Sequence, residues 1–141
     1  MKQHSIVLFS ESAQFLNVTK KTLEAYNINI QKCINNLNEI NKIADKKSNI
    51  FVVQLPYKNK EKSENIISIF QQNKLNWICV GENSTINFFA MTKGAMGNII
   101  LKQTPTSIEY KVFIKNLISK INQSIEIASI INSRCKKQLI N

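Results

Sequence analysis

The chain has 141 residues, of which 43% are apolar, and a formal net charge of +10. That length and apolar content suit one domain with its own core and exclude a disordered chain, and no apolar run approaches the roughly 20 residues that a membrane span needs. The single histidine and three separated cysteines exclude histidine-based catalysis, a disulfide framework and a metal-spaced pair. We therefore expect no metal or cofactor, and in the absence of a targeting signal we expect a cytoplasmic protein with no membrane partner.

The positive charge is spread along the chain. Such a balance can indicate a nucleic-acid or acidic partner. However, the chain is crowded with Lys, Asn and Ile, a bias that A/T-rich codons also produce. No block of basic residues dominates, and the aromatic residues do not alternate with lysines as a single-strand binder requires. We therefore expect a protein partner and no nucleic acid.

Short apolar runs alternate with segments of helical period along the whole chain. The apolar runs predict five strands, at residues 6–9, 28–34, 50–53, 77–80 and 98–101. Segments at 15–26, 37–43, 63–70 and 84–91, and a longer one that begins near Ile108, predict helices. This alternation implies right-handed crossovers and a parallel sheet covered on both faces. We predict a flavodoxin-like α/β domain, with a doubly wound five-stranded sheet of order 2-1-3-4-5 and an extended C-terminal helix.

In such a fold the functional residues follow the carboxyl ends of the strands. Here Ser10 and Glu11 follow the first predicted strand, Pro56 the third, Gly81 the fourth and Lys102 the fifth. Together with the order of elements over residues 5–120, these positions resemble the phosphorylation site of bacterial response-regulator receiver domains. The resemblance implies a signalling role in a two-component pathway.

The resemblance also implies which chemical groups this chain lacks. Receivers carry the phospho-acceptor Asp four residues before the Pro, where this chain has Val52, and a Ser or Thr where it has Gly81. Valine is not a nucleophile, and Glu11 alone is a poor substitute for the acidic pair that holds Mg²⁺. Lys102 keeps the lysine that follows the fifth strand in the family, with one residue more than the family spacing. We predict a degenerate receiver, or pseudo-receiver, that binds proteins, is not an enzyme and is not phosphorylated.

A lysine-rich loop follows the third predicted strand and contains Lys58, Lys60 and Lys62. It is either an interaction loop for an acidic partner or an ordinary solvated loop. The alternative function for the whole chain is a small-anion or nucleic-acid binding domain that uses these basic strand-end loops. A ligand site built from loops calls for more than the three glycines present, which favours the signalling interpretation.

The last predicted helix is too long for a plain receiver. Leu117, Ile121, Ala128 and Ile131 follow the four-and-three spacing of a coiled-coil seam. We predict a receiver-like domain over residues 1–122 and a helical extension over residues 123–141. The extension forms a homodimer through this seam or connects to a further domain.

Overall fold

A computed structural model describes residues 4–140 of the backbone and the side chains of residues 4–131. Its five strands are β1 (Ser5–Phe9), β2 (Ile30–Ile34), β3 (Asn49–Gln54), β4 (Asn76–Gly81) and β5 (Gly97–Ile100). All neighbouring strands are parallel, and their order is β2-β1-β3-β4-β5. The predicted fold class and strand order are therefore confirmed.

Four α-helices cover the two faces of the sheet: α1 (Ala13–Ala25), α2 (Lys60–Gln72), α3 (Ser84–Thr92) and α4 (Ser107–Ile140). The apolar residues of α1 and α4 join one core cluster, and those of α2 and α3 join the other. Among the described residues, no helix is both long enough and apolar enough to cross a membrane.

The segment between β2 and β3 differs from the prediction of a short α-helix at residues 37–43. It forms two 3₁₀ helices, Leu37–Lys42 and Lys46–Ser48. The Asn36 side chain accepts a hydrogen bond from the Asn38 backbone N–H, and Asp45 adopts a left-handed conformation with φ of 51°. Such local polar contacts compete with regular α-helical bonds, so the apolar spacing alone was misleading.

The central strand β3 is buried along its whole length. Val52 is 0% exposed, and it pairs with Leu8 on one side and Ile78 on the other. All three belong to the core cluster that α1 and α4 cover. The continuous apolar run in the sequence is explained by burial of both faces of a parallel strand.

The predicted seam of the last helix is mostly internal. Leu117 and Ile121 are 0% and 1% exposed and pack in the core cluster under α4, and Ala128 is 7% exposed. Only Ile131, at 53%, presents a seam side chain to solvent. The prediction of a dimer seam is wrong for the buried positions, because the same spacing also describes a helix that covers a sheet.

The helix α4 continues without a break across the predicted domain boundary between residues 122 and 123. Its backbone is helical to Ile140, while its side chains beyond residue 131 lie outside the described part of the chain. The boundary therefore stays a prediction, and no change in secondary structure marks it.

The burial of α4 gives a direct test. Ile121→Asp places a carboxylate in the core and should lower the free energy of unfolding by several kcal/mol. Ile131→Asp, on the same helix, should change it by less than about 0.5 kcal/mol because the site is exposed. Urea unfolding followed by circular dichroism measures both. An Ile121→Asp variant as stable as wild type would contradict the packing of α4 on the sheet.

Candidate functional site

A depression of about 350 Å³ lies at the carboxyl ends of β1 and β3, and we call it the strand-end pocket. It is the place where the fold predicts function. Its walls come from the loops after β1, β3 and β5. The lining residues are Ser10, Glu11, Ser12, Gln54, Leu55, Pro56, Tyr57, Asn59, Lys62 and Gln103.

A chain of neutral hydrogen bonds crosses this pocket. The Ser10 hydroxyl donates to Gln54 Oε1 at 2.5 Å, and Gln54 Nε2 donates to the Tyr57 hydroxyl at 3.1 Å. The Tyr57 hydroxyl in turn lies 3.1 Å from the Leu101 carbonyl and 2.9 Å from the Lys102 carbonyl. Since a phenol has one hydrogen, the two carbonyls share that donor. The chain thereby joins β1, β3 and the loop after β5.

The Tyr57 hydroxyl keeps its proton at neutral pH. Burial raises the pKa of Tyr57 above its ordinary value of 10, the hydrogen bond from Gln54 lowers it, and the nearby charge of Glu82 raises it. Ser10 and Gln54 are 1% and 6% exposed. Within the described residues every buried side-chain nitrogen or oxygen has a hydrogen-bond partner, so the chain leaves no buried polar atom unsatisfied.

Val52, which the sequence analysis assigned to the vestigial pocket, is not part of the strand-end pocket. Val52 lies two residues before the end of β3, packs in the core and does not line the pocket. Gln54 ends the strand beside Ser10, because Phe9 of β1 pairs with Val53 of β3. Counting back from Pro56 missed Gln54. The available signal was a polar residue that follows the apolar run directly.

Two ion pairs lie near the pocket. Lys62 Nζ lies 2.6 Å from Glu11 Oε2, across the mouth of the pocket. Lys102 points away and pairs with Glu109 Oε2 at 2.8 Å, so it neither lines the pocket nor contacts Glu11. This hydrogen bond raises the pKa of Lys102, and it is the main reason why the pKa of Glu109 falls to about 2.

Glu109 belongs to the N-terminal cap of α4, and this cap positions the carboxylate that pairs with Lys102. The Thr106 backbone N–H donates to Glu109 Oε1 at 3.0 Å, and the Glu109 backbone N–H donates to Thr106 Oγ1 at 3.1 Å. This reciprocal pair is a capping box. A carboxylate held at a helix N-terminus attracts the neighbouring lysine, which explains why Lys102 is drawn to α4.

Gly81 ends β4 where the family has a hydroxyl residue, and the structure has no room for a side chain there. A Cβ at Gly81 would lie 2.0 Å from Asn87 Oδ1. Asn87 is 1% exposed, accepts from the Cys79 thiol at 3.3 Å and donates to the Ile99 carbonyl at 3.1 Å. No sequence pattern predicts this buried amide, which links α3 to β4 and β5.

The three loop lysines do not gather into one basic site. The Lys58 backbone N–H donates to Glu82 Oε1 at 2.8 Å in a left-handed turn with φ of 52°. Lys60 Nζ lies 3.9 Å from Glu64 Oε1, and Lys62 pairs with Glu11. Across the described residues, no group of three His, Cys, Asp or Glu side chains could hold a metal ion.

Comparison with known proteins finds the same fold among receiver domains. The CheY-like response regulator receiver domain from Methanospirillum hungatei JF-1 is 15% identical, with a TM-score of 0.65 over 91% of this chain and 98% of that one. The beryllofluoride-activated NtrC4 receiver domain dimer is 13% identical, with a TM-score of 0.58 over 88% and 98%. The adenylate cyclase from Rhodopirellula baltica is 18% identical, with a TM-score of 0.65 over 99% and 98%.

These structural similarities establish the fold. No family model and no curated protein matches the chain. The resemblance to response-regulator receiver domains is confirmed at the level of the fold.

The hydroxyl of Tyr57 can be removed without changing the shape of the ring. Tyr57→Phe leaves the Gln54 amide and two carbonyls with one partner fewer, so the free energy of unfolding should fall by about 1–2 kcal/mol at pH 7. Tyr26→Phe is the matched control, because Tyr26 is 62% exposed and should lose almost nothing. Urea unfolding of both variants measures the difference, and equal losses would contradict the role of Tyr57.

The raised pKa of Tyr57 adds a pH signature to the same experiment. The folded state holds this proton more tightly than the unfolded chain, so its contribution to stability is complete below pH 10 and is lost as the pH rises through the folded pKa. As the pH rises above 10, the wild type should lose more stability than Tyr57→Phe. Parallel curves for the two proteins would contradict this linkage.

Proposed function

We propose that this chain is a pseudo-receiver: a signalling domain of the cytoplasm that accepts no phosphoryl group, catalyses no reaction and acts by binding proteins. The observation that carries the proposal is Gln54, an amide at the end of β3 that is tied into a neutral hydrogen-bond chain with Ser10 and Tyr57. An amide is not a nucleophile toward phosphorus, and an acyl phosphate requires a carboxylate.

The remaining groups in the pocket support the same proposal. Glu11 is the only carboxylate that lines the pocket, and Lys62 already neutralises it. A Mg²⁺ ion that organises phosphoryl transfer needs carboxylate oxygens that are free to bind it. Gly81 offers no hydroxyl and Lys102 is held by Glu109, so the two groups that would stabilise phosphoryl oxygens are missing from the pocket.

The phosphorylation test compares wild type with Gln54→Asp. Wild type treated with acetyl phosphate and Mg²⁺ should gain no mass, and beryllofluoride should move no amide resonance near the pocket. Trp77 is a poor reporter, since it is fully buried near the start of β4, at the opposite end of the strand. Amide spectra of residues 10–12 and 54–59 are therefore the readout.

Gln54→Asp places a carboxylate at the strand end. It shows whether the missing carboxylate alone prevents phosphorylation. We expect this variant also to stay unmodified, because Glu11 remains paired with Lys62. A phosphoryl adduct on wild type that hydroxylamine removes would overturn the proposal. An adduct only on Gln54→Asp would support the assignment of Gln54 to the acceptor position.

The surface at the β5 edge of the sheet supports a protein partner. Five large apolar side chains are exposed on α3, β5 and the start of α4, and we call them the β5-edge patch. Its residues are Phe88, Met91, Ile100, Ile108 and Val112. Phe88 and Ile108, at 71% and 75% exposed, are the most prominent. Large apolar side chains exposed together on neighbouring elements are typical of an interaction site.

The patch fits a second copy of this chain. Ile130 lies 18 residues after Val112, which is about five helical turns, so both lie on one flank of α4. Ile130 and Ile127 are also exposed, at 48% and 45%. A twofold arrangement would cover this flank and the patch in both copies at once. The similar NtrC4 receiver domain is a dimer, which supports the same assembly here.

The dimer is tested by replacing apolar side chains of the β5-edge patch with charged ones. Wild type at tens of micromolar should show twice the chain mass by light scattering, and Phe88→Lys with Ile108→Lys should show the chain mass. Val18→Lys with Tyr26→Lys is the control, because both residues are exposed, on α1 and at its C-cap, and neither belongs to the β5-edge patch. A monomeric wild type, or a control variant that dissociates equally, would contradict the proposed interface.

The alternative of a small-anion or nucleic-acid binding domain has less support. It needs the loop lysines as free cations, yet Lys62 lies beside Glu11 and Lys60 beside Glu64. Salt-dependent binding of a short oligonucleotide that is lost on Lys58→Ala would favour this alternative instead.

A further inference from the structure

A second surface lies between α1 and α4, on the face of the sheet away from α2 and α3. It is an open groove of about 670 Å³, and we call it the α1–α4 groove. Thr22 and Tyr26 line it from α1, and Tyr110, Ile114 and Ile118 line it from α4. Most of its surface is therefore aromatic or aliphatic.

The floor of the groove is held in place before any ligand arrives. The hydroxyls of Thr19 and Tyr110 lie 3.0 Å apart and join the two helices. Below them Phe113 contacts both Tyr110 and Phe15, with ring centroids 5.7 and 6.1 Å apart. Ile114 is 4% exposed, so only a ridge that enters the groove can reach it. A preformed groove of this kind spares a ligand the cost of ordering it.

The rim of the groove carries charge of one sign. Lys111 and Lys115 lie on α4 one helical turn apart, both are exposed, and both line the groove. None of the residues that line it is acidic. Residues at i and i+4 of a helix lie on the same face, with their Cβ atoms about 6 Å apart. The groove therefore combines an apolar floor with a basic edge.

We infer that the α1–α4 groove binds an amphipathic helix of a partner protein, with apolar side chains on one face and carboxylates one turn apart on its flank. This inference rests on the proposed function and names the chemistry of the partner. An amphipathic helix laid in a groove is a common mode of recognition and presents anchors at helical spacing. Glutamates at positions i and i+4 match Lys111 and Lys115 in spacing and in sign.

The shape of the groove favours a helix over a lipid surface. A flat bilayer would contact the exposed ring of Tyr26 and the two lysines but would not enter the concave floor at Ile114. Two lysines also give a weak membrane attraction, of about 1 kcal/mol each. A convex ridge of apolar side chains fills the groove and brings carboxylates to its rim.

The probe is a synthetic amphipathic peptide of about 14 residues, or roughly four helical turns. It carries leucines on one face and two glutamates at i and i+4 on the flank. A second peptide is identical except that lysines replace these glutamates. Titration of the labelled full chain should give saturable amide shifts at Tyr26, Lys111, Lys115 and Ile118 with the glutamate peptide, and much smaller shifts with the lysine peptide.

Charge reversal on the protein makes the test specific. Lys111→Glu with Lys115→Glu should weaken binding of the glutamate peptide by about tenfold and strengthen binding of the lysine peptide. Lys46→Glu with Lys47→Glu makes the same change in net charge within the 3₁₀ segment before β3 and should alter neither affinity. Vesicles with one-third anionic lipid form a further arm and should not shift the groove residues.

Several outcomes would overturn the inference. These are the absence of saturable shifts at millimolar peptide, equal binding of the two peptides, shifts that map to another surface, and vesicle binding that depends on Lys111 and Lys115. None of these outcomes affects the phosphorylation test or the measured mass of the assembly, so the proposed function is tested separately. The inference would be supported by shifts that are confined to the groove and by a peptide preference that reverses in the variant with Lys111→Glu and Lys115→Glu.

Discussion

The hydroxyl of Tyr57 is the contact on which the organisation of the strand-end pocket depends. It accepts a hydrogen bond from the Gln54 amide and donates to the carbonyls of Leu101 and Lys102. One side chain therefore joins the loop after β3 to the loop after β5. Gln54 can be buried because Ser10 and Tyr57 satisfy both ends of its amide. A carboxylate in the same place would need a cation or water to offset its burial.

The neutral groups at the strand ends place fewer demands on the surrounding loops. Acids that hold a metal ion at the end of a buried strand must stay accessible to that ion. With Gln54 and Ser10 at this position, the loops can close over the strand ends, and Lys62 can use Glu11 as an ordinary partner. Lys102 pairs with Glu109 at the start of α4. The polar side chains Ser10, Gln54 and Tyr57 of the pocket thus satisfy one another.

The sequence predicts the order of elements well and the roles of individual residues less well. Buried parallel strands have continuous apolar runs, so residues 50–53 identify β3, and the alternation of elements leaves few topologies. The position of Gln54 depends on how β3 pairs with β1, which spacing from Pro56 does not report. Ile121 fits a seam and a sheet-covering face equally, and only the contacts of α4 decide between them. Asn87 has no local signal at all, because its partners, 8 and 12 residues away, lie on the separate elements β4 and β5.

The short length of β5 has a consequence for how this chain meets other molecules. An edge strand with free backbone groups can recruit strands from other chains and lead to aggregation. β5 has only four residues, and the opposite edge, β2, exposes Gln31 and Lys32. Neither edge is therefore a good template for strand addition. The chain can carry exposed Phe88 and Ile108 beside such an edge and still avoid growing into fibrils, since contacts made there use side chains and can be reversed.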